Sequence, residues 1–460
     1  RGDIKRVNGK GEIMTFETKG KENNGATYGR RSDWQDLYSI AKKYYEALLA
    51  DPGNALFHLT DPRGASDKSG RTFNNPYQYF FEQMHMDDAI YADESIYEYP
   101  MQQGGGNDGR PYSFGRPSSG GSKAAYPCKS YGQGRINPAY FYGVFDPNDM
   151  RRDVSITMTG SNGKGVEKLI PFVPNSKAEG GGLTLNKWDE NRQANPWVAA
   201  QRKSGINGPY MRMSEVYLGY AEVCAALGDV VTGKQYLKTV RERSFPQGLA
   251  NTDAFIASFG NDLVRAIIEE RGFEYAGEGD RRWTLIRSGY LPEDIKRIKD
   301  MTKAMMDGLA TKGYYEFENG NIISAYIWTK LVDAKTIYGH RLTAQCPTDK
   351  VNDPVLYPGW RGQKDNWEEM GLNYGSSTPA TNLAIKGLFE IVSEEEAASL
   401  ESQGYTKVNW GIDLVDNRDE YDKYLFWDYD YVSAPIYLWP FTPNVMAAGG
   451  FTNGYGFKQE

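Results

Sequence analysis

The sequence predicts a mainly α fold, made of tetratricopeptide-like helical hairpins with long irregular loops and a few short β-hairpins. Three observations lead there. Apolar residues recur at the helical period in several well-separated segments. Two of those segments are joined by a short Gly/Asp turn. Between the helical blocks run Gly- and Pro-rich stretches studded with rings, in a chain of 460 residues with 51 glycines and 33 tyrosines.

The first helix is predicted in "SDWQDLYSIAKKYYEALLADPGN". Ser32 and Gln35 read as a capping box, Trp34, Leu37, Tyr38, Ala41, Tyr45 and Leu48 form a stripe, and Pro52-Gly53 stops it. This gives about five turns. Residues 51–209 are loop-rich. Their extreme is "MQQGGGNDGRPYSFGRPSSGGSKAAYPCKSYGQGRINP", where Tyr112, Phe114, Tyr126 and Tyr131 are spaced through glycines and prolines. Disordered linkers are poor in aromatics, so this stretch reads as a long ordered surface loop.

A second helical block is predicted from Tyr210. Val216, Tyr220, Val223, Cys224 and Leu227 share a face, Gly228-Asp229 ends the helix, and Tyr236, Leu237 and Val240 mark the next one. This is one helical hairpin and not an array, because the repeat pattern is not in register. A third helix is expected over Asn261 to Ala276, and a fourth from Pro292. Asn319-Gly320 between apolar runs signals a hairpin, and Ser393 with Glu396 a second capping box. The expected organisation is 1–209 as the remnant of an N-terminal helical region plus the loop-rich segment, and 210–460 as the C-terminal region, in one compact unit.

Composition removes several function classes. Lys plus Arg is 53 and Asp plus Glu 60, a net charge of −7, which argues against nucleic acid and anionic membrane as partners. No apolar run approaches the roughly 20 residues that span a bilayer. Cys128, Cys224 and Cys346 form no CxxC, and His58, His85 and His340 are isolated, so no transition-metal site is expected. Cys224 reads as a small buried hydrophobe; whether Cys128 and Cys346 pair is left open. No cofactor is expected. Calcium is possible at Asp146/Asp149/Asp153 or Asp416/Asp419/Glu420/Asp422, but neither has EF-hand spacing, and ion pairs with Arg151, Arg152 and Arg418 are the competing reading. Gly104, Gly106 and Gly109 match G-x-G-x-x-G, with no strand expected before them and no helix after, so a dinucleotide site is rejected. No local pattern singles out a glycosidase carboxylate pair or a catalytic triad.

"ERGFEYAGEGDRRWTLIRSGY" interleaves Glu270, Glu274, Glu278 and Asp280 with Arg271, Arg281, Arg282 and Arg287. Such a mixture can be an active site or a structural ion-pair knot. The large apolar residues between the charges, from Ile267 to Ile286 and including Trp283, favour buried, paired charges that determine the fold.

These segments resemble the SusD/RagB family of outer-membrane nutrient-binding lipoproteins of Bacteroidota. Arg212, Glu215, Leu218, Tyr220, Ala221, Glu222, Val240, Arg241 and Arg243 match one pair of family helices. Glu270, Arg271, Glu274, Ala276, Glu278, Gly279, Arg281, Leu285, Arg287 and Gly289 match a second stretch, with Thr284 where the family usually has Asp. "PIYLWPFTPNVMAAGGFTNGYGF", "YFYGVFDPNDMRRDVSI" and "LNKWDEN" are similar to further family elements in the right order. The resemblance implies a SusD-like fold and a ligand-binding protein without catalysis. It also implies a place on the extracellular face of the outer membrane, lipid-anchored through a segment absent from this chain, beside a SusC-like TonB-dependent transporter. The ligand would be an oligosaccharide or a peptide. A structural subunit without nutrient ligand, and a glycoside hydrolase, stand as alternatives.

The family's matched stretches are scaffold, so ligand contacts are sought in rings expected to be exposed: Tyr112, Phe114, Tyr126 and Tyr131 in the Gly-rich loop, and Trp360, Trp367 and Tyr374 in "YPGWRGQKDNWEEMGLNYG". Flat rings stack on sugar faces or peptide side chains, and Arg361, Lys364 and Asn366 would add hydrogen bonds. The same rings could instead anchor their own loops.

Overall fold

The structure is a computed structural model. It describes four short strands ahead of residue 33, then residues 33–62, 75–84, 92–105, 110–118, 129–161, 167–174, 181–188, 202–333, 381–425 and 441–450. Among the described residues helices dominate and every paired strand is antiparallel.

The α-helices are α1 (Trp34–Ala50), α2 (Pro76–Gln83), α3 (Arg110–Phe114), α4 (Arg151–Ser155), α5 (Met213–Ala226), α6 (Val230–Glu242), α7 (Thr252–Ala257), α8 (Leu263–Glu274), α9 (Asp280–Ser288), α10 (Leu291–Lys312), α11 (Glu394–Ser402), α12 (Gly411–Asp416), α13 (Arg418–Leu425) and α14 (Pro443–Gly449). Helix α1 starts at Trp34 with Asp33 at its N-cap and no side-chain cap bond, one residue later than the capping-box reading; Ser32 lies outside the described residues. The α5–α6 hairpin is present. Asp229 caps α6 by accepting from the Thr232 N–H. Tyr38, Ala41, Tyr45 and Leu49 of α1 cover Tyr220, Val223 and Cys224 of α5. Gly219 makes that approach possible, since a Cβ there would sit 2.3 Å from the Tyr45 hydroxyl oxygen.

Three boundaries differ from expectation. Tyr210 is in a strand, Gly208–Arg212, which pairs with Ser95–Tyr99; α5 begins only at Met213. The reason is tertiary: the Met213 N–H donates to the Glu94 carbonyl at 2.9 Å, so the partner strand sets the helix start. Helix α8 ends at Glu274 because Gly277 turns the chain at φ +81°, and a separate helix, α9, starts at Asp280. Glu274 and Glu278 therefore do not share a helix. The strand Ser95–Tyr99 and α3 also flank the G-x-G-x-x-G segment, contrary to expectation. That strand is antiparallel to its partner and α3 is five residues long, so these two described elements are not the strand and helix of a parallel βαβ unit; Gly106 and Gly109 lie outside the described residues.

Two sequence signals are met. The Asn319-Gly320 turn joins Tyr314–Glu316 to Ile322–Ser324, and Ser393 accepts from the Glu396 N–H at the start of α11. The largest core gathers Phe141, Tyr142, Phe145, Phe273, Met305, Leu309, Phe317 and Trp410. Trp410 is fully buried and donates its indole N–H to the Tyr142 hydroxyl at 2.8 Å. A three-stranded sheet closes this side, with Tyr326–Asp333 between Thr381–Lys386 and Thr406–Asn409. Among the described residues no helix is long and apolar enough to cross a membrane.

Candidate functional site

The acid–arginine stretch lies in a buried charge network. Five acids (Glu94, Asp149, Glu270, Glu274, Glu278) meet five cations (Arg151, Lys187, Arg212, Arg241, Arg243). Arg151 bonds Asp149 at 2.6 Å and Glu270 at 2.7 Å. Arg212 reaches Glu274 at 2.6 Å, Glu94 at 3.0 Å and Glu278 at 3.0 Å. Arg243 grips Glu94 through both Nη atoms and adds Glu274 at 2.6 Å. Rings line it: the Arg243 guanidinium carbon is 3.9 Å from the Phe57 centroid, and Arg212 is 4.6 Å from that of Tyr275.

The arginines of the stretch itself do not answer Glu270 and Glu274. Arg271 pairs with Glu215 and Asp280, each at 2.6 Å, Arg281 with Glu269 and Asp294, and Arg287 with Glu222. The cations for Glu270 and Glu274 come from α4, α6 and the residues bordering α5 and α6. Trp283 is 58% exposed, so it is not part of the buried apolar set.

Burial would raise the Glu274 carboxyl. The guanidiniums of Arg243, Arg212 and Arg151 outweigh it and hold the group well below the usual carboxylate range. Burial pulls the Lys187 ammonium down to about 8, against the opposing pull of Glu278. Glu270 and Glu274 have no exposed surface, so no sugar or peptide reaches them. The network is a scaffold. All of its members except Glu94 lie in segments carrying the family resemblance, and no sequence pattern singles out Glu94.

The ring candidates separate. Phe114 is 47% exposed and ends α3. Tyr112 is buried, so the expectation of an exposed ring fails there: Pro111 and Tyr112 form the inner side of α3. Tyr131 is half-buried, with its ring 5.0 Å from Tyr112 and edge-on to it. The pairing is fixed by the backbone, as the Tyr131 N–H donates to the Tyr112 carbonyl and the Gln133 N–H to the Ser113 carbonyl. Lys129 Nζ stands 5.0 Å from the Tyr131 ring, and the Arg202 guanidinium 4.4 Å from the Tyr112 ring. Arg202 has φ +62°, a left-handed conformation unusual for a non-glycine residue. Burial, then the hydrogen bond to Tyr131, raises the Tyr112 phenol; that bond, then the Lys129 charge, lowers Tyr131. Tyr126, Trp360, Trp367 and Tyr374, with Arg361, Lys364, Asn366, Cys128 and Cys346, lie outside the described residues.

Sequence reasoning missed a neighbouring set. Tyr97, Tyr99 and Tyr210 are all more than half exposed on the Ser95–Tyr99/Gly208–Arg212 ribbon, with Tyr97 and Tyr210 edge-on at 5.6 Å. The alternation in "SIYEY" was the available signal. The ribbon connects to Arg202 through Lys203 and Asn207, which accept from the Gly104 and Met101 N–H groups at 3.0 and 2.8 Å. Of the acidic clusters weighed for calcium, Asp149 is held by Arg151, and Asp153 lies 3.4 Å from Arg152. Among the described residues no group of three or more His, Cys, Asp or Glu is placed to hold a metal.

A sequence model of the SusD family matches residues 56–440, and the chain belongs to that family. It is 28% identical over 160 residues to SusD-like protein P25 of Formosa agariphila, covering 35% of this chain and 26% of that protein. A SusD homolog from Bacteroides thetaiotaomicron aligns with TM-score 0.41 and 17% identity, over 59% of this chain and 52% of its own. Surface glycan-binding protein A from the same organism, in complex with laminarihexaose, aligns with TM-score 0.37 and 18% identity, over 57% and 52%. The chain thus spans about half the length of these solved structures and about a quarter of the curated relative.

Proposed function

We propose that the protein captures oligosaccharide at the cell surface and passes it to a SusC-like TonB-dependent transporter, without chemistry on the ligand. In this reading it sits on the extracellular face of the outer membrane, held by a lipid anchor. The observation that carries the binding site is the exposed Phe114 ring at the end of α3, two positions from Tyr112, whose own ring pairs with Tyr131, with Lys129 over the Tyr131 ring and Arg202 over the Tyr112 ring. An exposed ring stacks on the C–H face of a sugar, and the phenols and cations bond its hydroxyls. Membership of the SusD family supports the reading. So does the burial of Glu270 and Glu274, which keeps the best-grouped carboxylates from a hydrolytic role.

The test is calorimetric titration of the chain with a panel of oligosaccharides, repeated on Phe114→Ala and Tyr131→Ala. Each variant is expected to bind at least about tenfold more weakly. Unchanged affinity in both would remove this site. Turnover of any oligosaccharide would favour the hydrolase reading, and co-purification with a barrel protein without retained glycan the structural one.

A further inference from the structure

The loops around the ring platform are one-sided in charge. Segments 110–118, 129–136 and 202–208 meet there: the Tyr131 N–H donates to the Tyr112 carbonyl, and the Arg202 guanidinium lies 4.4 Å from the Tyr112 ring. These segments carry Arg110, Arg116, Lys129, Arg135, Arg202 and Lys203 and no Asp or Glu, in a chain whose net charge is −7.

Lys129 is half-buried and Arg202 exposed, so both reach solvent. Among the described residues neither forms an ion pair. Each lies over a ring instead, Lys129 Nζ at 5.0 Å from that of Tyr131. Both charges act on the Tyr131 phenol. Glu98, on the bordering ribbon, is buried and bonded to Ala92, Ser95 and Asn207, so it does not answer them. Arg202 holds φ +62°, which a glycine adopts freely and an arginine does not. Backbone strain of that kind persists where the surroundings hold it, and it gathers at functional positions. Here it sets a guanidinium at the platform, and the planar fork of that group matches the oxygens of an anionic ligand.

Family membership does not fix the charge of the ligand. We propose that the platform selects an acidic oligosaccharide, uronate-bearing or sulfated, whose carboxylate or sulfate oxygens accept from Arg202 and Lys129. This rests on the reading that the platform binds oligosaccharide. A neutral sugar can take hydrogen bonds from the two cations but leaves their charge unanswered. An acid group answers it and breaks no existing ion pair of either cation, and such charge-assisted bonds are the stronger ones.

The experiment is calorimetric titration of the full chain with tetragalacturonate and its fully methyl-esterified, neutral form, and with a sulfated carrageenan tetrasaccharide and its desulfated form. At least one acidic probe is expected to bind at least about tenfold more tightly than its neutral partner, with an affinity that falls as NaCl rises from about 50 to about 500 mM. Arg202→Gly removes the cation and suits the backbone, so thermal unfolding should hold while the affinity for the acidic probe drops about tenfold. Lys129→Gln should act in the same direction. Equal or tighter binding of the neutral forms would overturn the selectivity and leave the proposed function standing. An acid preference untouched in both variants would place the charge recognition elsewhere and overturn the assignment to Arg202 and Lys129. Binding of neutral oligosaccharides other than these, with both acidic probes ignored, would also overturn the selectivity alone. Binding of no oligosaccharide at all would overturn both readings.

Discussion

Arg212 holds Glu274 twice: Nη1 donates to its carboxylate at 2.6 Å, and Nη2 to its backbone carbonyl at 2.8 Å. The second bond fixes the last turn of α8, whose carbonyl also accepts from the Tyr77 hydroxyl at 2.7 Å. One carboxylate thus orders a helix end and pairs with three guanidiniums. Glu274→Ala would leave Arg151, Arg212 and Arg243 short of an acid in a buried site. The expected loss is about 3–5 kcal/mol of stability, read from urea unfolding. The folded fraction should keep its oligosaccharide affinity. Normal stability with abolished binding would turn the network into a functional site.

Acid should act on the same groups. Glu269 is subject first to burial, which raises its carboxyl, and then to Arg281, Arg297 and Arg265, which bring it down to about 2. Glu274 moves in the same direction. A carboxyl depressed on folding contributes stability that is complete above its ordinary value, about 4.5, and lost as pH falls through the folded value. The urea midpoint should therefore hold from neutral pH to about 5 and then fall steadily toward about pH 2. A midpoint flat down to pH 2 would contradict the assignment.

Lys187 predicts a second pH-dependent window on the alkaline side. Its ammonium, ordinarily at 10.5, is brought to about 8 by burial. Between those values the unfolded chain binds the extra proton, so the Lys187 contribution makes stability rise with pH, on the order of 3 kcal/mol in total. In Lys187→Met that component should vanish. The comparison of unfolding at pH 8 and pH 10 in the two proteins measures it, and identical slopes would refute it.

Phe114 and Tyr112 should part in stability. Phe114→Ala removes an exposed ring and is expected to change stability by no more than about 0.5 kcal/mol. Tyr112→Ala removes a buried ring packed on Tyr131 and covered by Arg202, and should cost about 3 kcal/mol. Equal effects in thermal unfolding would mean the two rings share one environment.

The helices were legible where the signal was local. The α5–α6 turn, the Pro292 start and the Ser393 cap each rest on residues within one or two turns of each other. The start of α5 was not, because Glu94, 119 positions before Met213 in the chain, decides it through the strand pairing. The charge knot was legible as a type of feature but not in its partners. Neighbours in sequence looked able to answer Glu270 and Glu274, yet Arg271 and Arg281 point to Glu215, Asp280 and Asp294. Rings were harder still. Tyr112 and Phe114 sit two positions apart, and only the five-residue helix between loops turns one inward and the other out.

The network also limits how the chain can be divided. Glu94 is tied to Arg212 and Arg243, Arg243 to Glu274, and Lys187 to Glu278. These spans overlap, so any backbone break between Glu94 and Glu278 parts at least one buried pair. A chain nicked in that interval must bring its two fragments back together before either can dehydrate its charges. A ribosome must release the whole interval before the electrostatic centre can close.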